Sequence, residues 1–311
     1  AGAEAAEGDV QSDNPYILKH SHCFGINGRD TNDNIAFIED NQIVYPCGNN
    51  TVVYHNEVKK QRFIPAEKTR GITAMAVSPS KRYIAVAERA SDGTEWNKRV
   101  KELDANGVAI QDKPQISIYD FNSLRRRRVL VSPDVKSREY VRLAFSHDGK
   151  WLLSQGGRED WMLVMWAWDK GKQTATVMAS NPAGSPLYQC TFHPQDPTIV
   201  CVCGDTLFNM YRQQDGAFKK LGNAMVQREV EEPECYKCHV WLNTQWIVVA
   251  AWTGDAATGR SSLLLIENGQ FKQTLAASPS DNSPIEYICP WESKKGFITG
   301  SASGVLSFYA H

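Results

Sequence analysis

The chain has 311 residues, of which 42% are hydrophobic and 22% charged, the composition of an ordinary globular protein. Its 34 Lys and Arg residues nearly balance its 35 Asp and Glu residues, so the net charge of −1 excludes a whole-molecule attraction to nucleic acid or anionic lipid. The longest apolar run, Trp246–Trp252, is too short to cross a bilayer, and the chain does not open with a signal-peptide pattern. We therefore predict a cytoplasmic protein that binds neither a membrane nor a nucleic acid.

The first residues differ in composition from the rest. Residues 1–14 are built from small and polar residues with a single Val, which bury too little apolar surface to offset the entropy of ordering. We therefore predict a disordered leader over residues 1–14 and one folded domain over residues 15–311.

A repeated unit of about fifty residues dominates that domain. Gly71–Pro79 and Tyr140–His147 each alternate apolar residues before a polar turn, and an aromatic residue follows the turn serine by five positions in both. Equivalent anchors fall at Ser78, Ser146, His193, Trp241 and Trp291, separated by 68, 47, 48 and 50 residues. A weaker first copy covers Asn34–Tyr45. The long first interval indicates a charged, exposed loop insertion at residues 89–114.

Period-two alternation predicts four short strands in each unit. In the second unit these are Ile72–Val77, Tyr83–Ala87, Gln115–Tyr119 and Val129–Val131; in the third they are Tyr140–Phe145, Trp151–Ser154, Met162–Trp168 and Thr174–Met178. Later units begin near Leu187, Tyr236 and Ile285. Four antiparallel strands per unit predict an all-β fold, a WD40-type β-propeller of about six to seven four-stranded blades. Helical repeats are disfavoured because β-branched and aromatic residues fill the runs.

The end of the third strand carries the WD signature only once. Trp168-Asp169 matches it and Tyr119-Asp120 is a weaker version, so the repeat has diverged. The sequence stops after the third strand of the sixth unit. We expect the natural protein to continue past His311; the alternative is that a strand near Tyr16–Phe24 closes the ring.

Several segments resemble one group of ciliary WD-repeat proteins. The similarity lies in Ile43-Val44-Tyr45-Pro46, Leu153-Ser154-Gln155-Gly156-Gly157, the aromatic run Trp161–Trp168 and Tyr188-Gln189-Cys190. These residues resemble the first propeller of the family of cilia- and flagella-associated protein fifty-seven. The resemblance implies a structural role in the axoneme, in which the protein tethers or regulates inner dynein arms on doublet microtubules. The family has no catalytic residues to carry over, and the 89–114 insertion departs from its pattern.

The sequence offers no convincing active site. Cys235 and Cys238 have the spacing of half a zinc site, but a strand would place them on opposite faces and no second ligand pair is near. No glycine-flanked nucleophile and no phosphate-binding glycine loop occurs. The seven His are isolated, and we expect them to be exposed or to cap turns. We therefore predict no enzyme activity, no catalytic residue, no cofactor and no metal.

One cluster of charge is a candidate binding site. Arg125, Arg126, Arg127 and Arg128 lie between the third and fourth strands of the second unit. That hairpin should share a face with the preceding turn, which carries Lys81 and Arg82. We predict that these six residues bind an acidic partner, with the acidic loop Glu229–Glu234 on the opposite face. The alternative is an ordinary solvated turn.

Two functions remain open from the sequence. The first is a non-enzymatic interaction scaffold of the motile cilium that binds axonemal proteins, inner dynein arm subunits or tubulin through its rim and basic face. The second is a general WD40 peptide-binding adaptor of a cytosolic or nuclear complex, which would bind at the central channel. Fold alone does not choose between them.

Overall fold

The structure is a computed structural model that describes residues 21–26, 28, 31–65, 71–90, 113–222, 224–225, 234–254, 259–275, 283–291 and 295–310. The predicted leader at residues 1–14, residues 91–112 of the predicted insertion and residues 229–233 of the acidic loop lie outside these ranges.

The described residues form six antiparallel sheets in chain order, here called blades 1 to 6. Blade 1 contains β1 (Ala36–Glu39), β2 (Gln42–Cys47), β3 (Asn50–His55) and β4 (Lys60–Pro65). Blade 2 contains β5 (Ile72–Val77), β6 (Tyr83–Glu88), β7 (Gln115–Asp120) and β8 (Arg126–Leu130). Blade 3 contains β9 (Tyr140–Phe145), β10 (Leu152–Gly156), β11 (Met162–Ala167) and β12 (Lys172–Met178).

The remaining blades continue the series. Blade 4 contains β13 (Leu187–Phe192), β14 (Ile199–Gly204), β15 (Leu207–Gln214) and β16 (Ala217–Leu221). Blade 5 contains β17 (Glu234–Trp241), β18 (Trp246–Thr253), β19 (Arg260–Glu267) and β20 (Gln270–Leu275). Blade 6 has three strands in the described part, β21 (Ile285–Trp291), β22 (Gly296–Ser301) and β23 (Leu306–Tyr309).

This arrangement confirms the all-β propeller fold. Strands adjacent in sequence pair within each sheet, and the first strands of successive blades lie against one another from β1 through β21. Each first strand is therefore the innermost strand of its blade. The structure matches the predicted bounds of β5 and β9, and the predicted starts of β13 and β21.

Several predicted strand bounds were wrong by one to three residues, including those of β8, β10, β11 and β12. β8 begins at Arg126 rather than Val129, because an edge strand pairs through its backbone even when its side chains are charged and exposed. β11 ends at Ala167, and Trp168–Lys170 form one 3-10 turn. The Trp168 ring packs against Tyr83, with the ring centres 4.9 Å apart, so this residue joins blade 3 to blade 2.

The turn after the first strand recurs in the same geometry. The backbone N–H groups of Ser78, Ser146, His193 and Leu242 each donate to the residue that precedes or opens the second strand, at 2.8 to 3.0 Å. In blade 5 the equivalent residue is thus Leu242, one position after the predicted anchor Trp241. In blades 2 and 3 the serine hydroxyl also accepts from the backbone N–H of the aromatic residue five positions on, at 3.0 Å. This local bond explains the serine-to-aromatic spacing.

The middle strands of the blades are buried on both faces. All six residues of β7 and all five of β10 are buried, including polar Ser117 and Gln155. Alternation of inward apolar and outward polar residues is incomplete there because each sheet lies between two others. Trp166 is the largest fully buried side chain among the described residues, and its indole N–H donates to the Ser154 hydroxyl at 2.9 Å.

The first and last blades differ from the rest in exposure. Phe37 in blade 1 is 63% exposed, and Leu306 and Phe308 in blade 6 are 65% and 58% exposed. These side chains alternate with residues that face the neighbouring blade, such as Ile38 and Tyr309. Packing between blades thus buries the apolar faces of blades 2 to 5 and leaves one face of each terminal blade partly exposed.

Replacement of Trp166 by Ala should lower the free energy of unfolding by about 3 to 5 kcal/mol, because it removes a large buried side chain and leaves a cavity. Replacement by Phe should cost less, because the ring remains and the bond to Ser154 is the main loss. Urea unfolding measures both. Met178→Ala is the control, since Met178 is 58% exposed and should change stability by no more than about 0.5 kcal/mol. Equal losses for Trp166→Ala and Met178→Ala would contradict this assignment of the core.

Candidate interaction surface

The six predicted basic residues lie together at one end of blade 2. The turn between β5 and β6 carries Lys81 and Arg82. Arg125 precedes β8, and Arg126, Arg127 and Arg128 open that strand. The backbone N–H of Phe121 donates to the Arg82 carbonyl at 2.9 Å, which holds the turn beside the hairpin of β7 and β8. All six residues are exposed. We call this surface the basic patch, defined by Lys81, Arg82, Arg125, Arg126, Arg127 and Arg128.

Asp120 is the buried acceptor at the centre of the basic patch. Its carboxylate, 3% exposed, accepts from Arg82 Nε at 3.3 Å and from Arg127 Nη2 at 3.2 Å. The backbone N–H groups of Asn122 and Ser123 each donate to its other oxygen at 3.1 Å. The Ser123 bond, and then Arg127 and Arg82, hold the pKa of this carboxyl well below its usual range, against the opposing effect of burial. The ionised Asp120 therefore fixes two of the six cations.

This role of Asp120 is not evident from the sequence, in which Tyr119-Asp120 is only a weak end-of-strand signature. An Asp at the end of a strand commonly accepts hydrogen bonds from the backbone N–H groups two and three residues later, so the sequence does indicate this turn. The sequence does not indicate that Asp120 pairs with Arg82, which lies thirty-eight residues away.

Other members of the basic patch reach the neighbouring blades. Lys81 Nζ donates to the Phe37 carbonyl of blade 1 at 3.0 Å, and Arg128 Nε donates to the Asp169 carbonyl of blade 3 at 2.7 Å. A carbonyl carries only a partial charge, so these bonds position the cations without neutralising them. The basic patch is therefore a surface held across three blades.

The arginine run does not alternate as a regular strand would. The sequence predicts that Arg126 and Arg128 share one side and that Arg125 and Arg127 share the other. In the structure Arg126 pairs with Tyr119 and Arg128 with Ile118, and the register shifts between them. Arg127 is thus the extra residue of a bulge, and its side chain contacts Asp120.

Charged side chains on the innermost strands pair with one another or with the segment that precedes β1. Arg142 Nη1 lies 3.4 Å from the Asp33 carboxylate, and Arg142 Nε donates to the Tyr188 carbonyl. Lys237 Nζ lies 3.4 Å from the Glu286 carboxylate and 4.9 Å from the centre of the Tyr188 ring. Burial raises the pKa of Asp33 although Arg142 acts in the opposite direction. These channel-side charges bind each other across blades.

His239 was expected to be exposed or to cap a turn, and this expectation was wrong. It lies in the middle of β17, only 1% exposed, with Nε2 2.7 Å from the Thr191 hydroxyl and Nδ1 3.2 Å from Cys203 Sγ. Trp241 Nε1 donates to the same Thr191 hydroxyl at 3.1 Å. Burial lowers the pKa of His239 to about 3, so the imidazole is neutral. His193, by contrast, does cap a turn, since its Nδ1 accepts from two backbone N–H groups.

The two cysteines of the Cys-x-x-Cys segment lie in different surroundings. Cys238 is buried, and its Sγ contacts the Ile285 carbonyl of blade 6 at 3.7 Å. Cys235 is half-buried on the other side of a register shift. Within the described ranges no three His, Cys, Asp or Glu side chains come together as metal ligands. All eight cysteines of the chain are free thiols in this structure.

Comparisons with known proteins agree with this fold. None of the protein-family models matches the chain. The chain is 32% identical over 81% of its length to cilia- and flagella-associated protein 57 of Mus musculus, and 27% identical over 87% to cilia- and flagella-associated protein 57 A of Tetrahymena thermophila. It is 28% identical over 81% of its length to echinoderm microtubule-associated protein-like 2 of Homo sapiens. The resemblance predicted from the sequence motifs is confirmed.

The chain spans only part of these relatives. It covers 18%, 23% and 35% of their respective lengths. Among solved structures it is similar to the β-propeller domain of Cps50 (Swd1) from Myceliophteria thermophila, with a TM-score of 0.56 and 12% identity, over 76% of this chain and 65% of that one. That likeness shows the fold alone. In the part of the chain that is described, no helix has the length and apolar character needed to span a membrane.

The buried His239 should make the protein sensitive to acid. Its pKa is about 3 in the folded state and near 6.5 when unfolded, so the unfolded state binds more protons between these values. The stability that comes from keeping His239 neutral is therefore present above pH 6.5 and is lost as the pH falls, by about 1.4 kcal/mol per pH unit. Between pH 6.5 and 5 we expect a loss of about 2 kcal/mol from this residue alone.

Urea unfolding at a series of pH values tests this in the wild type and in His239→Gln. The variant should have a lower free energy of unfolding at pH 7 and a shallower decline below pH 6.5. His147→Gln is the control, because it replaces an exposed histidine and leaves the contacts of His239 intact. Parallel pH curves for wild type and His239→Gln would refute the role of His239.

Proposed function

We propose that this propeller, whose sequence is similar to that of cilia- and flagella-associated protein 57, is a non-enzymatic scaffold of the motile cilium. In this role it resides on the axoneme, where it tethers or regulates inner dynein arms on doublet microtubules. The basic patch is the observation that carries the proposal. Relatives named as ciliary, flagellar or microtubule-associated proteins support it.

The chemistry of the basic patch suits an acidic filament. Arginine forms bidentate bonds with carboxylates, and the outer surface of the microtubule is rich in carboxylates. Arg82 and Arg127 already share the carboxylate of Asp120. Arg125 and Arg126 lie at the exposed start of β8, and we assign the first contact with the filament to them. Asp120 then acts as the internal support that holds the hairpin in place.

The charges on the channel side favour a scaffold over a peptide-binding adaptor or an enzyme. A propeller enzyme needs convergent carboxylates, His or metal ligands near its channel. In the described residues the channel-side carboxylates of Asp33 and Glu286 pair with Arg142 and Lys237. A peptide that entered there would have to compete with these existing ion pairs for the same charges.

The charge of the hairpin should control binding to microtubules. Changing both Arg125 and Arg126 to Ser should weaken co-sedimentation with microtubules by about tenfold, because two charge-assisted contacts are lost. Wild-type binding should also weaken as salt is added, since exposed charges are screened over about 8 to 10 Å. The measurement is co-sedimentation across a salt series. Circular dichroism checks that the double variant keeps the wild-type fold.

A matched control removes the same charge elsewhere. Lys219→Ser with Lys220→Ser changes the corresponding strand of blade 4, β16, and should leave binding near the wild-type level. If the Arg variant binds as well as the wild type, or if binding does not change with salt, the hairpin is an ordinary solvated turn and not a binding site. If Lys237→Ser loses binding to its partner while the Arg125→Ser, Arg126→Ser variant binds normally, the result would favour an adaptor that binds peptides at the central channel.

Tethering of dynein needs a separate measurement. Inner dynein arms released from axonemes should rebind to arm-depleted doublets more completely when the protein is present. The Arg125→Ser, Arg126→Ser double variant should fail to increase rebinding, because it no longer holds the doublet. If rebinding is the same with and without the protein, the dynein role is wrong, whatever the result with bare microtubules.

A further inference from the structure

Two free thiols lie in contact where the N-terminal segment meets blade 1. Cys23 Sγ and Cys47 Sγ are 2.8 Å apart, although the residues are twenty-four positions apart in sequence. A disulfide bond measures about 2.05 Å, so less than 1 Å of movement separates this contact from a covalent bond. Cys47 belongs to β2, whereas Cys23 lies in residues 21–26, which the structure describes outside any strand.

The backbone of Cys23 is fixed by blade 1 independently of its thiol. Its N–H donates to Gln61 Oε1 at 2.6 Å, and its carbonyl accepts from the Tyr45 hydroxyl at 2.8 Å and from Gln61 Nε2 at 3.2 Å. The Phe24 ring packs edge-on against Tyr54, with ring centres 5.7 Å apart. These contacts hold the Cys23 thiol next to Cys47, so a bond between them needs little extra ordering of the chain.

The two thiols differ in access to solvent. Cys23 is half-buried, whereas Cys47 is 8% exposed. The hydrogen bond with Cys23, and then burial, raise the pKa of the Cys47 thiol to about 11. A dissolved oxidant therefore meets Cys23 first, and Cys47 is placed to react second. Cys190, Cys201 and Cys203 are buried in the interfaces around blade 4, out of reach of such a reagent.

We propose that Cys23 and Cys47 form a reversible disulfide site that reacts with small disulfides such as oxidised glutathione. The Cys23 thiolate attacks one sulfur of the glutathione disulfide, forms a mixed disulfide and releases the first glutathione as a thiolate. Cys47 then loses its proton to water and its sulfur attacks Cys23 Sγ, which releases the second glutathione. Two protein thiols become one disulfide, and one glutathione disulfide becomes two glutathione thiols.

The Cys23–Cys47 disulfide would link residues 21–26 covalently to the sheet of blade 1. That segment covers an apolar cluster of Tyr45, Cys47 and Val52, with Phe63 beside it. In the reduced protein, hydrogen bonds and ring packing hold the segment; in the oxidised protein, it cannot leave the face. A cross-link that closes a loop also restricts the unfolded chain, so the oxidised form is the more stable one. This property of the scaffold is independent of its binding to microtubules.

Peptide mapping tests the site directly. The full chain is equilibrated in glutathione buffers from fully reduced to fully oxidised, blocked with N-ethylmaleimide and digested with trypsin without reduction. Trypsin places Cys23 in residues 20–29 and Cys47 in residues 30–59, and neither peptide contains another cysteine. We expect these two peptides to appear covalently linked in the oxidised sample and separate in the reduced one. The melting temperature of the oxidised protein should be higher by about 3 °C or more.

Matched variants make the outcome decisive. Cys23→Ser changes a half-buried residue and should fold, and it should lose both the linked peptide and the rise in melting temperature. Cys289→Ser changes a half-buried cysteine of blade 6 and should keep both. The proposal is overturned if the linked peptide is absent in the fully oxidised buffer. It is also overturned if other cysteine pairs link equally, or if oxidation raises the melting temperature of Cys23→Ser as much as that of the wild type.

Discussion

Each inner blade of this propeller has two apolar faces, and the packing of one blade against the next is the interaction on which the molecule depends. Ile118 of blade 2 and Trp166 of blade 3 share one buried cluster, and Met165 of blade 3 and Val202 of blade 4 share the next. Because the middle strands are buried on both sides, no blade can bury its apolar surface alone. The free energy gained from apolar burial, about 25 cal/mol per Å², therefore becomes available only as neighbouring blades assemble.

This packing also creates the surface that we assign to binding. The middle strands are buried between blades, so the groups that contact a partner lie on the turns and hairpins at the ends of the blades. Lys81 and Arg128 bond to carbonyls of blades 1 and 3, while Arg82 and Arg127 bond to Asp120 within blade 2. The position of the basic patch thus depends on three blades being in register. A scaffold needs such a rigid surface, because a binding face that must first be ordered loses part of its affinity.

The polar groups near the centre serve structure in the described part of the chain. Arg142 bonds to Asp33, which precedes β1, and to the Tyr188 carbonyl of blade 4. Lys237 of blade 5 pairs with Glu286 of blade 6. His239 and Thr191 do the same between blades 5 and 4 without any charge. The buried His239 is satisfied by a partner from another blade, as buried polar groups generally must be. This arrangement supports recognition at the outer surface and the ends of the blades.

The sequence by itself determined the repeat, the strand order and the bounds of β5 and β9. It could do so because alternation of side chains and the turn bond of Ser78 or Ser146 act between residues fewer than ten positions apart. It also placed the six basic residues at one end of blade 2, since propeller topology puts those turns together. Only the tertiary structure decided that Asp120 anchors Arg82, that His239 is buried against Thr191 and that Cys23 meets Cys47. Those partners are 24 to 48 positions apart in sequence, and no local pattern encodes them, because the packing of different strands and blades alone brings their side chains within bonding distance.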